Sequence, residues 1–188
     1  MLKICLDPGH GGKDPGAVGP TGVKEADVVL QVAKLLGSEL IQRGCVVTYT
    51  RSENITLRLA DRVKTAKDFG AELFLSLHCN AAVKREAQGM ETLFGSGMIR
   101  SQKFAGYIQR AMVNAFPHHK DRGLMESPSN QYPRAIYVVR RNSCPAALVE
   151  LEFISNPEQE KFLNKIETKH NIAKALCEGI LEYKAKEM

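Results

Sequence analysis

Short apolar segments alternate along the chain with amphipathic helical patterns. Runs of mostly apolar and β-branched residues predict buried strands at residues 2–6, 45–50, 73–77, 90–94, 135–139 and 146–151. Apolar positions that recur every three or four residues predict helices at residues 25–43, 56–69, 101–116, 157–165 and 168–185. No linker, repeat or low-complexity segment divides the pattern. It therefore predicts one α/β domain over residues 1–188, built around a largely parallel sheet.

Composition and charge narrow the class of protein without identifying it. The chain has 188 residues, of which 44% are hydrophobic and 25% charged, which is typical of a globular domain and excludes a disordered chain. No run of about eighteen apolar residues predicts a transmembrane helix, so membrane insertion is not expected. The net charge of +5 is mild and scattered, which favours a solvated surface and gives no sign of a nucleic-acid site.

Cysteine usage and the first residues bear on the cellular setting. The 5 cysteines are odd in number and form no CxxC pair, which indicates reduced, buried thiols rather than a disulfide framework. The opening MLKICLDPGHGG contains no apolar core like that of a secretory signal peptide. We therefore expect a chain that folds in a reducing compartment, or one whose export segment lies outside this sequence.

Polar side chains stand at the points where the predicted strands end. His10 comes soon after the first strand, His78 directly follows the third, and Glu25 opens the first helix. Since the carboxyl ends of parallel strands meet at one edge of a sheet, these side chains are expected to converge with Glu150 and Glu152 of the last strand. Two histidines and a carboxylate form a ligand set that suits Zn²⁺ and leaves a fourth position for water.

A hydrolytic zinc site also needs a carboxylate that does not bind the metal, because the attacking water loses a proton and the leaving nitrogen gains one. Glu150 fits this role, since it is an acid inside an otherwise apolar strand, where burial is costly without a partner. The alternative is that His10 is only a hydrogen-bonded loop residue, because the candidate ligands are far apart and form no HExxH motif.

The glycine-rich loop from Asp7 to Gly22 raises the question of a phosphate site. Its sequence GHGGKDPGA lacks GxxxxGK[ST], and Asp14 occupies the position of the third glycine of GxGxxG. An acid and a proline in the loop also oppose anion binding. The sequence therefore disfavours phosphate.

Several sequence blocks, taken in order, carry a family resemblance over nearly the whole chain. They are LDPGHGGKDPGA at 6–17, TRSE at 50–53, LxxR at 59–62, LSLHCNAA at 75–82, GMETLF at 89–94, RGL at 122–124 and PAALVELEFISNPEQE at 145–160. Together they resemble the zinc-dependent N-acetylmuramoyl-L-alanine amidases of the amidase-3 type. Ordered blocks are far more specific than any single motif.

The resemblance implies a twisted, mostly parallel six-stranded sheet flanked by helices. It also implies hydrolysis of the amide between N-acetylmuramic acid and L-alanine in peptidoglycan. Matched position by position, His10, Glu25 and His78 correspond to the ligands of one Zn²⁺ ion, and Glu150 corresponds to the catalytic acid/base. Asn80 corresponds to a residue that lines the substrate site.

Two positions depart from the family pattern. Cys79 stands where the family commonly has alanine between the histidine and the asparagine, and we interpret it as a buried structural thiol. Glu152 stands where the family favours a glycine after the catalytic acid. In a regular strand Glu150 and Glu152 lie on the same side, so Glu152 stays an alternative to Glu150 as the working carboxylate.

The remaining polar residues have structural interpretations. We expect buried or half-buried ion pairs that hold loops at Arg51, Arg62 and Arg122. Asp7 either orients His10 or forms a turn before Pro8. His118 and His119 follow a proline in a polar loop and are expected to be solvated.

Alternatives to the amidase are a catalytically inactive peptidoglycan-binding module and a zinc hydrolase of another amide. The acid at Glu152 is the feature that favours an inactive binding module. The loops around the site, which the sequence does not predict, leave open a zinc hydrolase of another amide. The expected partner is peptidoglycan, bound by a monomer, with any separate wall-binding domain outside this sequence. We expect action at the bacterial cell wall, either after release from the cytoplasm in the manner of a phage endolysin or as the excised domain of an exported autolysin.

Overall fold

Strands and helices alternate along the chain in the computed structural model, which describes residues 1–130, 133 and 135–188. The strands are β1 (Lys3–Pro8), β2 (Val46–Tyr49), β3 (Leu73–Asn80), β4 (Met90–Gly95), β5 (Asp121–Ser127) and β6 (Ala146–Phe153). The helices are α1 (Glu25–Gln42), α2 (Leu59–Phe69), α3 (Ile99–Ala115), α4 (Tyr137–Arg141), α5 (Pro157–Asn164) and α6 (Ile166–Glu187).

The described strands form one six-stranded sheet in the order β2-β1-β3-β6-β4-β5. Strands β2, β1, β3 and β6 run parallel to one another, β4 runs antiparallel to β6, and β5 runs parallel to β4. This confirms the single α/β fold with a mostly parallel sheet. The carboxyl ends of β1, β3 and β6 therefore lie side by side at one edge.

Helices cover both faces of the sheet. On one face, α1, α3 and α6 pack against each other and over Ile4 and Leu6 of β1. On the other face, α2 and α4 pack together over Cys5 of β1 and Phe74 of β3. Alternate residues of β1 thus enter different cores, because successive side chains of a strand point to opposite faces.

One predicted strand, at residues 135–139, is wrong. Val138 and Val139 are β-branched and favour a strand, but both are buried in the short helix α4, which packs on the sheet. A short apolar run cannot distinguish a strand from a buried helical turn. The missing strand is β5, whose sequence DRGLMES has no apolar alternation because it forms the edge of the sheet and is largely exposed.

The predicted start of the second helix at Thr56 is also wrong, since α2 begins at Leu59. Thr56 instead binds the glycine-rich loop: its Oγ1 accepts from the Lys13 N–H at 2.9 Å and donates to the Gly11 carbonyl at 3.3 Å. The segment before α2 therefore supports the loop that carries His10.

The described helices and the cysteines bear on two further expectations, one about membrane spans and one about thiols. None of the described helices combines the length and apolarity needed to cross a bilayer. All five cysteines are free thiols, and each is buried except the half-buried Cys144. Burial raises the pKa of the Cys79 thiol well above its ordinary value, which fits a structural role.

Candidate metal centre and active-site cleft

Three polar side chains meet at the carboxyl edge of the sheet. His10 follows β1, His78 lies near the end of β3, and Glu25 is the first residue of α1. Their ligand atoms all lie within 4.8 Å of one another, which makes them a candidate metal cluster. The structure thus brings together the three residues that the family resemblance implies as ligands.

Glu25 lies at the centre of this cluster. Its Oε1 is 3.1 Å from Nε2 of His10 and 2.9 Å from Nδ1 of His78. The carboxylate is buried, whereas the side chains of His10 and His78 are 25% and 20% exposed. The other carboxylate oxygen accepts from the Ala17 N–H at 2.9 Å, which fixes the orientation of Glu25.

Glycines allow these side chains to approach the loop backbone. A Cβ on Gly9 would lie 2.3 Å from Cε1 of the His78 ring, and a Cβ on Gly16 would lie 2.6 Å from Oε2 of Glu25. Gly16 also has a φ of 67°, and His10 itself has a φ of 57°, a conformation that few side chains adopt. Gly9 and Gly16 are therefore required by close packing around the cluster.

Asp14 orients the ring of His10, a role that sequence reasoning did not assign to it. Its Oδ2 is 2.8 Å from Nδ1 of His10, which leaves Nε2 directed at Glu25. Asp7 does not orient the histidine, because its carboxylate accepts from Thr50 at 2.6 Å and pairs with Arg62 at 2.8 Å. The spacing of four residues between His10 and Asp14 was the signal available in the sequence.

Two arginines hold the loop that carries His10. Arg62 is buried, pairs with Asp7 and donates to the His10 carbonyl at 2.6 Å, as expected for a loop-holding ion pair. Arg51 is also buried, but it donates to main-chain carbonyls, including that of Gly9 at 2.7 Å, and forms no ion pair within the described chain. Together they fix the backbone from which the ligand projects.

The charges in the cluster depend on one another. Burial raises the pKa of the Glu25 carboxyl, but hydrogen bonds from both histidines outweigh burial and hold that pKa well below its usual range. Burial lowers the pKa of His10, and the hydrogen bonds and charges of Glu25 and Asp14 outweigh it, so the pKa of His10 rises to about 9. The metal-free cluster therefore holds a proton at a position where a cation would fit.

Glu150 stands beside the cluster without belonging to it. It is the cross-strand partner of His78, and its Oε2 is buried with no hydrogen-bond partner in the described part of the chain. Burial, together with the charges of Glu25 and Glu91, raises the pKa of Glu150 to about 7. A carboxyl with this proton affinity can both accept and donate a proton near neutral pH.

Glu152 lies on the other side of the strand, contrary to the alternation of a regular strand. The register passes from His78 opposite Glu150 to Asn80 opposite Phe153, so β6 carries an extra residue between these pairs. This bulge turns the Glu152 side chain away from the metal cluster.

The Glu152 carboxylate is fully buried and its oxygens are hydrogen-bonded. It accepts from the Gly89 N–H at 2.7 Å and from the Phe153 N–H at 2.9 Å, and it lies 3.0 Å from Nδ1 of His119. The prediction that His119 is solvated is therefore wrong, whereas His118 is exposed as expected. The polar loop sequence gave no signal of this long-range pair.

Asn80 and Arg122 share a buried acceptor. The amide nitrogen of Asn80 donates to Oε1 of Glu91 at 2.6 Å, and Nε of Arg122 donates to Oε2 of Glu91 at 2.7 Å. Arg122 thus forms the half-buried ion pair that the sequence indicated. Substrate contact by Asn80 stays a prediction, since its amide is engaged with Glu91.

A cleft of about 380 Å³ opens onto the cluster. His10, His78 and Glu150 line its polar side, and α2, β6 and the segment leading into α4 supply its apolar side, including Leu59, Ile136 and Leu148. The candidate ligands, the unpartnered carboxyl and an accessible concavity therefore occupy one place, which is the arrangement a hydrolase of a bulky substrate needs.

Comparisons with known proteins show the family of the chain. The family profile described as N-acetylmuramoyl-L-alanine amidase matches residues 4–182. The chain is 32% identical to a germination-specific N-acetylmuramoyl-L-alanine amidase of Bacillus subtilis, covering 96% of this chain and 78% of that protein. It is 30% identical to N-acetylmuramoyl-L-alanine amidase AmiA of Escherichia coli, covering 96% of this chain and 75% of that protein.

A solved structure shares the whole fold. N-acetylmuramoyl-L-alanine amidase AmiC2 of Nostoc punctiforme superposes with a TM-score of 0.90 at 30% identity, covering 98% of each chain. The profile matches nearly the whole chain, and these relatives and the solved structure share its sequence and fold. The chain belongs to the N-acetylmuramoyl-L-alanine amidase family.

Proposed function

We propose that this chain hydrolyses the amide between N-acetylmuramic acid and L-alanine in peptidoglycan, with one Zn²⁺ ion held by His10, Glu25 and His78. The observation that carries the proposal is the meeting of this cluster with the unpartnered carboxyl of Glu150 in one cleft. Membership of the amidase family supplies the reaction class.

The residues present fit zinc. Two imidazoles and one carboxylate are a common catalytic zinc set, and three protein ligands leave a position open. The hydrogen bond that Nδ1 of His10 donates to Asp14 resembles the carboxylate–histidine support typical of such ligands. When bound, Zn²⁺ supplies Lewis acidity toward the scissile carbonyl and the attacking water.

The chain's own residues perform the proton transfers. Oε2 of Glu150 has no hydrogen-bond donor in the described structure, so it is free to accept the proton of the attacking water. The same carboxyl then protonates the departing alanine nitrogen, since its pKa of about 7 lies close to neutrality. Glu152 contributes no proton, because its oxygens are committed to Gly89, Phe153 and His119.

The test measures new alanine N-termini released from purified peptidoglycan. Wild type should release them, chelation should abolish release, and added Zn²⁺ should restore it. Glu150→Gln should be inactive with its zinc content unchanged, while Glu152→Gln serves as a matched control two residues away. A folded, zinc-loaded wild type that releases no alanine N-termini would indicate a binding module or a different amide substrate.

A further inference from the structure

A cationic surface adjoins the active-site cleft. Its concavity has a volume of about 290 Å³ and is lined by Ala135, Tyr137, Arg140 and Arg141, which we call the arginine shelf. Ala135 and Tyr137 also line the active-site cleft, so the shelf and the cleft are continuous. A substrate seated at the metal cluster can therefore extend directly onto α4.

The two arginines of the shelf are anchored but not neutralised. Arg140 donates through Nη1 to the Ser96 carbonyl at 2.7 Å, and its guanidinium makes no other hydrogen bond to a residue that the structure describes. The guanidinium of Arg141 lies 5.9 Å from the centre of the Tyr137 ring. Both are exposed, and no carboxylate of the described residues forms an ion pair with either of them. Two neighbouring guanidinium groups without a carboxylate partner among the described residues are suited to binding carboxylates.

The part of the rim formed by the residues after β3 and β6 differs in charge. A concavity of about 390 Å³ is lined by the loop at residues 18–20 and by the residues after β3 and β6, with Arg85 as the cation among its lining residues. Val18 and Val83 are exposed there. The rim is therefore uneven in charge, with two arginines at α4 and one arginine beside exposed valines after β3 and β6.

The proposed substrate is also charged on one side of the scissile amide only. Around the scissile amide, the sugar side is uncharged, whereas the peptide beyond the alanine carries free carboxylates. We propose that Arg140 and Arg141 bind carboxylates of this stem peptide, so that the peptide leaves the metal cluster across α4 and the glycan lies toward Val18 and Val83. This inference rests on the proposed amidase function and adds the direction of the substrate and its specificity for an anionic peptide.

The test uses two synthetic muramoyl-peptides, one with its peptide carboxylates free and one with them amidated. Wild type should prefer the free form by about tenfold in kcat/KM, because hydrogen bonds between charged groups are worth about that much. Arg141→Ala should lose most of this preference, and the loss should appear as a higher KM for the free form rather than as a lower kcat. Arg141→Lys should recover part of it, since lysine keeps the charge without the planar fork.

Controls separate substrate binding from folding and from general charge. Arg140→Ala removes the hydrogen bond to Ser96 and can therefore lower the stability of the protein, so it is tested beside Arg141→Ala. The activity of each variant on the amidated peptide reports its folded fraction. Arg43→Ala removes an exposed arginine just after α1, at the opposite end of the sheet, and should leave the preference intact. Arg85→Ala removes the cation across the rim and should also leave it intact.

Three outcomes would overturn the inference. The first is that wild type cleaves the two peptides equally well. The second is that the preference persists in the Arg140→Ala, Arg141→Ala double variant. The third is that Arg85→Ala abolishes the preference, which would place the peptide beside Arg85. If wild type cleaves neither peptide, the proposed amidase function fails instead, so the two failures are distinguishable.

Discussion

Two carboxylates on β6 lie in opposite environments although a single residue separates them. On the cleft side, Glu150 has a buried oxygen without a hydrogen-bond partner and a raised pKa. On the other side, Glu152 is fully buried and accepts two main-chain N–H groups beside His119. A buried carboxylate whose oxygens are hydrogen-bonded is compatible with a stable fold. A buried carboxylate without partners destabilises the fold and has a raised pKa, which suits it to proton transfer. The bulge in β6 produces this difference, because it sends the two side chains to different faces.

The strongest test of this contrast is Glu150→Gln. We expect kcat on peptidoglycan to fall by roughly 100- to 10,000-fold, since that is the usual contribution of a general acid/base. The metal-free variant should be more stable than wild type at pH 8 by roughly 2–3 kcal/mol, because the amide needs no desolvated charge. Activity assays and thermal unfolding measure both effects. Unchanged kcat would transfer the role to another group.

Asp14→Asn addresses a carboxylate that supports a candidate ligand. Loss of the charged partner of His10 should weaken zinc affinity by about 10- to 100-fold, the usual cost of removing such support. Competition with a chromophoric chelator measures the affinity. Asp27→Asn, an exposed acid in the first turn of α1, is the control. Equal affinities of Asp14→Asn and wild type would show that the histidine needs no orienting partner.

Glu152→Gln tests the role of the carboxylate whose oxygens are hydrogen-bonded. We expect a loss of about 1–3 kcal/mol in the free energy of unfolding, because the amide leaves buried donors poorly paired. Activity per folded molecule should stay near that of wild type. Urea unfolding and zinc-saturated kinetics separate the two quantities. An inactive variant of unchanged stability would make Glu152 the working carboxylate.

A smaller effect should appear in the pH dependence of the metal-free protein. The pKa of His10 is raised from 6.5 to about 9, so its stabilising contribution is complete below pH 6.5 and is lost as the pH rises through 9. The pKa of Glu150 is raised from 4.5 to about 7, so its ionisation destabilises the fold increasingly between those values.

The midpoint of thermal unfolding should therefore fall between pH 5 and pH 9 without metal. With saturating Zn²⁺ the midpoint should fall less, because zinc binds deprotonated histidine. Glu150→Gln should remove only the part of the loss below about pH 7. A metal-free midpoint that rises over this range would contradict the assigned pKa directions.

The sequence predicted the elements that hydrophobic periodicity controls and missed those that tertiary contacts control. The buried strands β1, β3 and β6 were found because they are continuously apolar, and α1 because its stripe is long. The edge strand β5 and the short helix α4 were not, since neither has a pattern of its own. The ends of the parallel strands also predicted that His10, Glu25 and His78 converge, and the structure brings these three side chains together.

The details of the site depended on geometry that no sequence pattern reports. The bulge that separates Glu150 from Glu152 is a single extra residue in an apolar strand, and β-alternation therefore gave the wrong side for Glu152. The His119 pairing joins residues from distant segments. The sequence indicates only that Asp14 opposes phosphate binding, whereas in the structure its carboxylate accepts a hydrogen bond from His10.

The position of β6 has a consequence for synthesis of the protein. Strands β2, β1 and β3 form one half of the sheet, β4 and β5 form the other, and β6 lies between β3 and β4. Although both halves are translated first, neither can join the other until residues 146–153 have left the ribosome. Until then β3 and β4 each expose an unpaired edge, and such an edge is a site where another strand can pair and cause aggregation.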